Sequence, residues 1–139
     1  MKVVLETERL RLREFTPKDA QSMFDLNADP EVIKYTGDLP FESVEQAKAF
    51  LQNYNDYKKN GFGRWAMITK VENEFIGWCG LKLNEEELID LGFRVFRNHW
   101  NKGYASETAK ACVQFAHTKQ VAERFAQSKL KKEATAVFS

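Results

Sequence analysis

A chain of 139 residues sets one domain as the starting expectation. Its 43% apolar and 13% aromatic content is enough to bury a core and excludes a disordered chain, while a net charge of +1 gives no footprint for nucleic acid or a membrane surface. No apolar run approaches the roughly 18 residues of a membrane span, "MKVVLETERLRLREF" holds no secretory core, and Cys79 and Cys112 read as reduced, buried thiols of a cytoplasmic protein.

In chain order, "ERLRLREF" alternates Leu10 and Leu12 with Arg9, Arg11 and Arg13, the period of a half-buried strand. In "FTPKDAQSMFDLN", Thr16 is placed to cap a helix, Pro17 to start it, and Asp19 to suit its positive end. Ala20, Met23, Phe24 and Asn27 carry the helical spacing. Asp29 and Pro30 repeat the device for a short helix to about Lys34. Ser43 caps a longer helix whose stripe is Val44, Ala47, Phe50 or Leu51, Tyr54 and Tyr57, with Gly61 as its stop. "GRWAMITKV", "FIGWCGLKL" and "ELIDLGFRV", parted by "ENE" and "NEEE", predict an antiparallel meander of three strands. A polar turn leads to a helix from about Tyr104, buried through Ala105, Ala109, Cys112 and Ala116, with Phe115, Ala122 and Ala126 able to extend it. "LKKEATAVFS" ends in a short β-prone run. Strands and helices in this order make the class α+β.

Most motifs fail on context. "GFGRWA" formally matches a dinucleotide-binding pattern, but a helix precedes it and a strand follows, the reverse of what that turn needs. His99 and His117 lack ligand spacing, so no metal site is expected. "KLKKE" reads as a solvated face and "NEEE" as turn solubilisers. The joint "FRVFRNHWNKGYASET" survives. The first N–H groups of a helix have no internal partner, and the helix dipole adds positive charge there. That end is an anion site in waiting. Gly103 permits close approach to the backbone, Lys102 adds charge, and Ala105 and Ser106 keep the first turn small. The alternative is an ordinary strand-to-helix connection with a solvent-facing Lys102.

"HWNKGYASETAKACVQFA" resembles the acetyl-coenzyme A motif of the GNAT superfamily of N-acetyltransferases, nearest the RimJ/RimL branch, whose consensus runs aromatic-Trp-Gly-Lys-Gly-Tyr-Ala-Ser/Thr-Glu-Ala. Trp100, Lys102, Gly103, Tyr104, Ala105, Ser106 and Glu107 match in register; Asn101 and Thr108 depart. "ETERLRLREFTPKDA", "DPEVIKYTG", "FIGWCGLKL" and "IDLGFRV" resemble earlier family segments in the correct order. The resemblance implies a GNAT-like fold, a mostly antiparallel mixed sheet flanked by helices, and acetyl-coenzyme A as co-substrate. Phe93 and Val95 would hold the pantetheine arm by their backbone, and the stretch Trp100, Asn101, Lys102, Gly103, Tyr104, Ala105, Ser106 would cradle the pyrophosphate. The side chains of Trp100 and Tyr104 serve equally well as packing.

The reaction implied is acetyl transfer to a primary amine, either a protein N-terminal α-amine or a small-molecule amine. Asp90 is the candidate base, or else a strand-edge carboxylate; a backbone N–H near Val95 would meet the oxyanion. Tyr35, Thr36 and the segment to Phe41 would admit the acceptor. Relatives continue past their fifth strand with a helix and two more strands. The chain is therefore expected to lack the C-terminal part of the fold, leaving the cofactor gap half-built and exposing apolar surface that favours a homodimer or aggregation. The alternative function is a GNAT-like acyl-CoA-binding or structural module without turnover.

Overall fold

The computed structural model describes residues 3–118 and the strand 130–132. Among the described residues six strands, β1 (Val3–Glu6), β2 (Leu10–Glu14), β3 (Arg64–Thr69), β4 (Phe75–Leu83), β5 (Ile89–Val95) and β6 (Leu130–Lys132), form one sheet in chain order. All pairs are antiparallel except β5 with β6, which is parallel. The helices are α1 (Ala20–Ala28), α2 (Pro30–Ile33), α3 (Val44–Gln52), α4 (Asp56–Asn60) and α5 (Tyr104–Ala116). This is the expected α+β, GNAT-like fold, a largely antiparallel mixed sheet flanked by helices.

Strand alternation divides the core in two. Leu10, Leu12, Trp65, Met67, Cys79, Leu81, Ile89, Leu91 and Val95 pack with Ala105, Cys112 and Ala116 of α5. Ala66, Ile68 and Trp78 face the other way, onto Met23 and Leu26 of α1 and Ala47 and Leu51 of α3. Cys79 and Cys112, distant in sequence, are free buried thiols with sulfurs 3.5 Å apart.

Three local expectations need correction. The first strand is the second arm of a hairpin: β1 is four residues long, exposed at both ends and half-buried at Val4 and Leu5, so it shows no apolar alternation. Thr16 does take the expected N-cap position ahead of Pro17, but its buried hydroxyl accepts no bond. Pro17–Asp19 form a 3-10 turn instead, and Asp19 takes the Thr16 N–H at 2.8 Å and a two-pronged bond from Arg13. That buried ion pair, not a helix dipole, explains the carboxylate. Finally, the long helix is two. α3 starts on the Ser43 cap and ends at Gln52, and a separate α4 stops at left-handed Gly61.

The break frees Tyr54 and Tyr57 from a helical stripe, and both rings turn to the start of β3. The Arg64 N–H donates to Tyr54 Oη at 2.8 Å, Tyr57 donates to the Arg64 carbonyl, and the Phe15 N–H donates to Tyr57 Oη at 3.0 Å. Burial pushes both phenols above their ordinary range, so Tyr57 keeps the proton it donates. Removing that hydroxyl strands two backbone groups away from water. Tyr57→Phe is therefore expected to cost about 1–3 kcal/mol, read as a lower midpoint in urea unfolding without a changed slope.

Candidate functional site

The joint between β5 and α5 is tightly built. A 3-10 turn, Arg97–His99, leads to extended Trp100, whose indole N–H donates to the Val95 carbonyl at 2.7 Å. Trp100 packs against both halves of the core. Of the two roles open to its side chain, packing is the one its contacts describe. Ala105, in the first turn of α5, is likewise buried. Arg97 grips Asp29 with two bonds of 2.9 Å and ties the turn to α2. Asn101 and Gly103 are both left-handed, at φ 64° and 80°. Asn tolerates that region better than most residues. Asn101 thus takes a backbone shape that glycine also adopts.

Gly103 opens α5 and offers no side chain to cap it. The first-turn N–H groups are left to the loop mouth, where Asn101, Lys102 and Ser106 are exposed and Tyr104 is half-buried. Glu107 serves a different end. Its carboxylate takes the Thr7 hydroxyl, the Arg9 N–H at 2.8 Å and Arg9 Nε at 2.7 Å. This fastens α5 to the β1–β2 turn and lays the Arg9 guanidinium 4.2 Å from the Tyr104 ring centroid. A Cβ at position 103 would sit 3.4 Å from Arg9 Nη2. Arg9, read in sequence only as a strand charge, is therefore a second cation at this mouth.

Phe93 and Val95 lie on the α5 side of β5. Among the described residues β6 pairs with Ile89–Leu91, and no described strand lies beside 92–95 on that edge. The opposite face of β5 carries Asp90, Gly92 and Arg94. Gly80 and Gly92 are direct cross-strand partners. With no side chain on either, they floor a cleft of about 210 Å³ walled by Thr36, Asp38, Arg64, Trp78, Lys82, Asp90 and Arg94. Gly80 is required here, because a Cβ would fall 2.1 Å from the Gly63 carbonyl oxygen.

Two residues singled out in sequence, Asp90 and Thr36, meet in this cleft; Tyr35 does not line it and stands 68% exposed. Asp90 accepts from Asn84 Nδ2 at 3.2 Å, and Asn84 Oδ1 organises the β4–β5 turn through the Glu86 and Leu88 N–H groups. Thr36 accepts from the Asp38 N–H at 3.1 Å, holding Asp38 where it meets Arg94 Nη2 at 2.6 Å. Arg94 Nη1 donates to Asn27 at 2.9 Å. Burial holds the Arg94 guanidinium below its ordinary range; Asp38 opposes this, and Arg64 adds to it. Sequence reading missed Arg64 and Arg94 because nothing local marks a strand arginine as inward.

Residues 9–136 match the acetyltransferase (GNAT) domain, and the chain belongs to that family. It is 38% identical over 117 residues to an uncharacterized N-acetyltransferase, p20, of Bacillus licheniformis, covering 82% of this chain and 66% of p20. An acetyltransferase (GNAT family) from Bacillus anthracis superposes with a TM-score of 0.67 at 27% identity, over 84% of this chain and 66% of that one. An acetyltransferase from Agrobacterium tumefaciens reaches 0.70 at 26%, over 86% and 69%. The chain spans about two thirds of the length of these relatives. Among the described residues no helix is long and apolar enough to cross a membrane.

Glu107 gives a pH signature. Burial works against its ionised form, but the bonds from Thr7 and Arg9 outweigh it and hold the carboxyl below its ordinary range. Its stabilisation is full above the ordinary carboxylate pKa and is lost as pH falls through the lower folded value. Arg9 is 41% exposed, so solvent discounts its ion pair. Glu107→Gln should cost about 1–2 kcal/mol at pH 7. In denaturant melts against pH, the gap to the parent should close on acidification below about pH 4.

Proposed function

We propose that this chain is an acetyl-coenzyme A-dependent N-acetyltransferase acting on a primary amine, of the RimJ/RimL-like branch whose motif the joint resembles. The observation that carries the reading is the uncapped start of α5 behind left-handed Asn101 and Gly103, set at the end of the strand that also bears Asp90. The site's chemistry fits the co-substrate: unclaimed helix N–H groups, Lys102 and Arg9 suit a pyrophosphate, and Gly103 and Ser106 leave it room. In this reading the backbone of Phe93 and Val95 holds the amide-bearing arm. When bound, acetyl-coenzyme A supplies an activated acyl carbonyl.

The chain's own part is positioning and proton management. The amine must arrive neutral. An α-amine titrates near ~8 and loses its proton cheaply; a lysine amine does not. In this reading Asp90, steadied by Asn84, takes that proton directly or through water. A β5 backbone N–H near Val95 faces the negative charge that develops on the carbonyl oxygen. Thr36 shapes the acceptor entrance through Asp38.

Titration calorimetry with acetyl-coenzyme A should give saturable binding, and Gly103→Val should weaken it about tenfold or more, since a β-branched residue resists positive φ. Unchanged affinity would count against the cradle. Asp90→Asn should lower kcat by about 10²–10⁴ while leaving acetyl-coenzyme A affinity intact. Binding without thiol release across an amine panel would instead make the chain an acyl-CoA-binding module.

A further inference from the structure

The cleft beside Asp90 holds a cation whose placement the transfer reaction alone does not explain. Arg64 begins β3, opposite Gly80, which is in turn opposite Gly92. Its backbone is clamped at both ends, N–H by Tyr54 and carbonyl by Tyr57. Its guanidinium lies 4.4 Å from the centroid of the Trp78 ring. A guanidinium over a ring face keeps its N–H donors available to a further acceptor. Among the described residues no carboxylate closes an ion pair with Arg64, although Asp56 shares a neighbouring cleft with it and Lys82. A second guanidinium, Arg94, lies 5.2 Å from the same ring centroid. It is 2% exposed, already spends Asp38, and leaves Nε without an acceptor. Two cations thus crowd one aromatic ring with a single bonded carboxylate between them. Such an arrangement is costly unless an anion joins it.

The remaining walls fix where the anion sits. Lys82 and Asp90 are direct cross-strand partners, two residues along from Gly80 and Gly92 and on the same face. At about 3.4 Å per residue and 4.8 Å per strand, Arg64 and Asp90 have Cα atoms roughly 12 Å apart. Two side chains shorten that span to the length of a small bifunctional molecule. The cleft volume, about 210 Å³, is below the roughly 300–1,000 Å³ of a drug-sized site, so it takes a head group and not a large surface.

Resting on the acetyltransferase reading, we propose that the acceptor carries an oxyanionic group, a carboxylate or a phosphate, besides its amine. Arg64 grips the oxyanion, Lys82 supports it, and the amine is presented toward Asp90. Tyr54, Tyr57 and Trp78 are positioning residues for Arg64.

The probes are glycylglycine for a carboxylate, phosphoethanolamine for a phosphate, and ethanolamine and spermidine as amines lacking an oxyanion. The parent should bind one of the first two in the absence of acetyl-coenzyme A, more weakly as salt rises. Arg64→Gln should weaken that probe about ten- to hundredfold, the loss expected for a two-pronged charged contact. Arg64→Lys should recover part of it. Affinity for acetyl-coenzyme A should not move. Whichever of the two anionic probes suffers identifies the oxyanion. The inference is overturned if neither binds the parent at millimolar concentration, if spermidine or ethanolamine binds as tightly, or if Arg64→Gln weakens all amines alike. Should Arg64→Gln not fold, the salt dependence of the parent decides in the same way. Failure of acetyl-coenzyme A to bind sinks the acetyltransferase reading, yet the probe titrations still judge Arg64 separately.

Discussion

The register in which β4 lies between β3 and β5 governs every position at the site. A strand's side chains alternate, so a slip of one residue would send Asp90 and Arg94 under α5 and bring Val95 out to the cleft. Two features resist that slip. Trp65, Cys79, Leu81 and Leu91 are buried on one face while Trp78 is buried on the other. Gly80 also meets the Gly63 carbonyl so closely that no other residue can take its place without shifting β3. The glycine that permits close strand approach is the same one that floors the cleft. Packing and site therefore share one residue, and Arg64, the next partner in that row, inherits its position from both.

Much of this was legible beforehand, and the parts that were not have a common cause. β3, β4, β5 and α5 announced themselves by period, and Ser43, Asp29, Gly61 and Gly103 by their end-of-helix chemistry. These signals are local. The Asn53–Asn55 break was hidden because Tyr54 and Tyr57 kept helical spacing across it, although their hydroxyls are committed to Phe15, just past β2, and to Arg64 at the start of β3. Arg13 with Asp19, Arg94 with Asp38, and Cys79 beside Cys112 depend on folding that brings separate elements together. The joint was legible in a further sense. Gly103 reads in the sequence as room for close approach to the backbone; the structure adds that Gly103 and Asn101, one of the two departures, both sit in the left-handed region, where Asn substitutes well.

Glu107 shows how a resemblance and a physical account differ. Its match to the motif, taken alone, would place it at a helix start where acids are favoured by the dipole. Its carboxylate instead accepts from Thr7 and Arg9, outside the helix. By turning away it leaves the α5 N–H groups uncompeted. An acid folded back over the first turn would neutralise the partial charge that makes this end receptive to an anion. The residue thus stabilises the joint and, by what it does not cap, keeps the mouth open.

β5 is the one strand exposed to both halves of the proposed chemistry. Phe93 and Val95 face α5 and lead through Trp100 to the joint; Asp90 and Arg94 face the cleft. A ligand along the edge of 92–95 and a second ligand on the cleft floor would meet at the level of Gly92, where no side chain intervenes between the two faces. Such a meeting needs no moving part. It follows from alternation on one strand, and the reaction it serves is one in which orientation supplies much of the rate. Charge is segregated in the same way. Lys102 and Arg9 stand at the loop mouth and Arg64 and Lys82 at the cleft, so in the proposed reaction each ligand would meet its own cations, with Asp90 beside the amine.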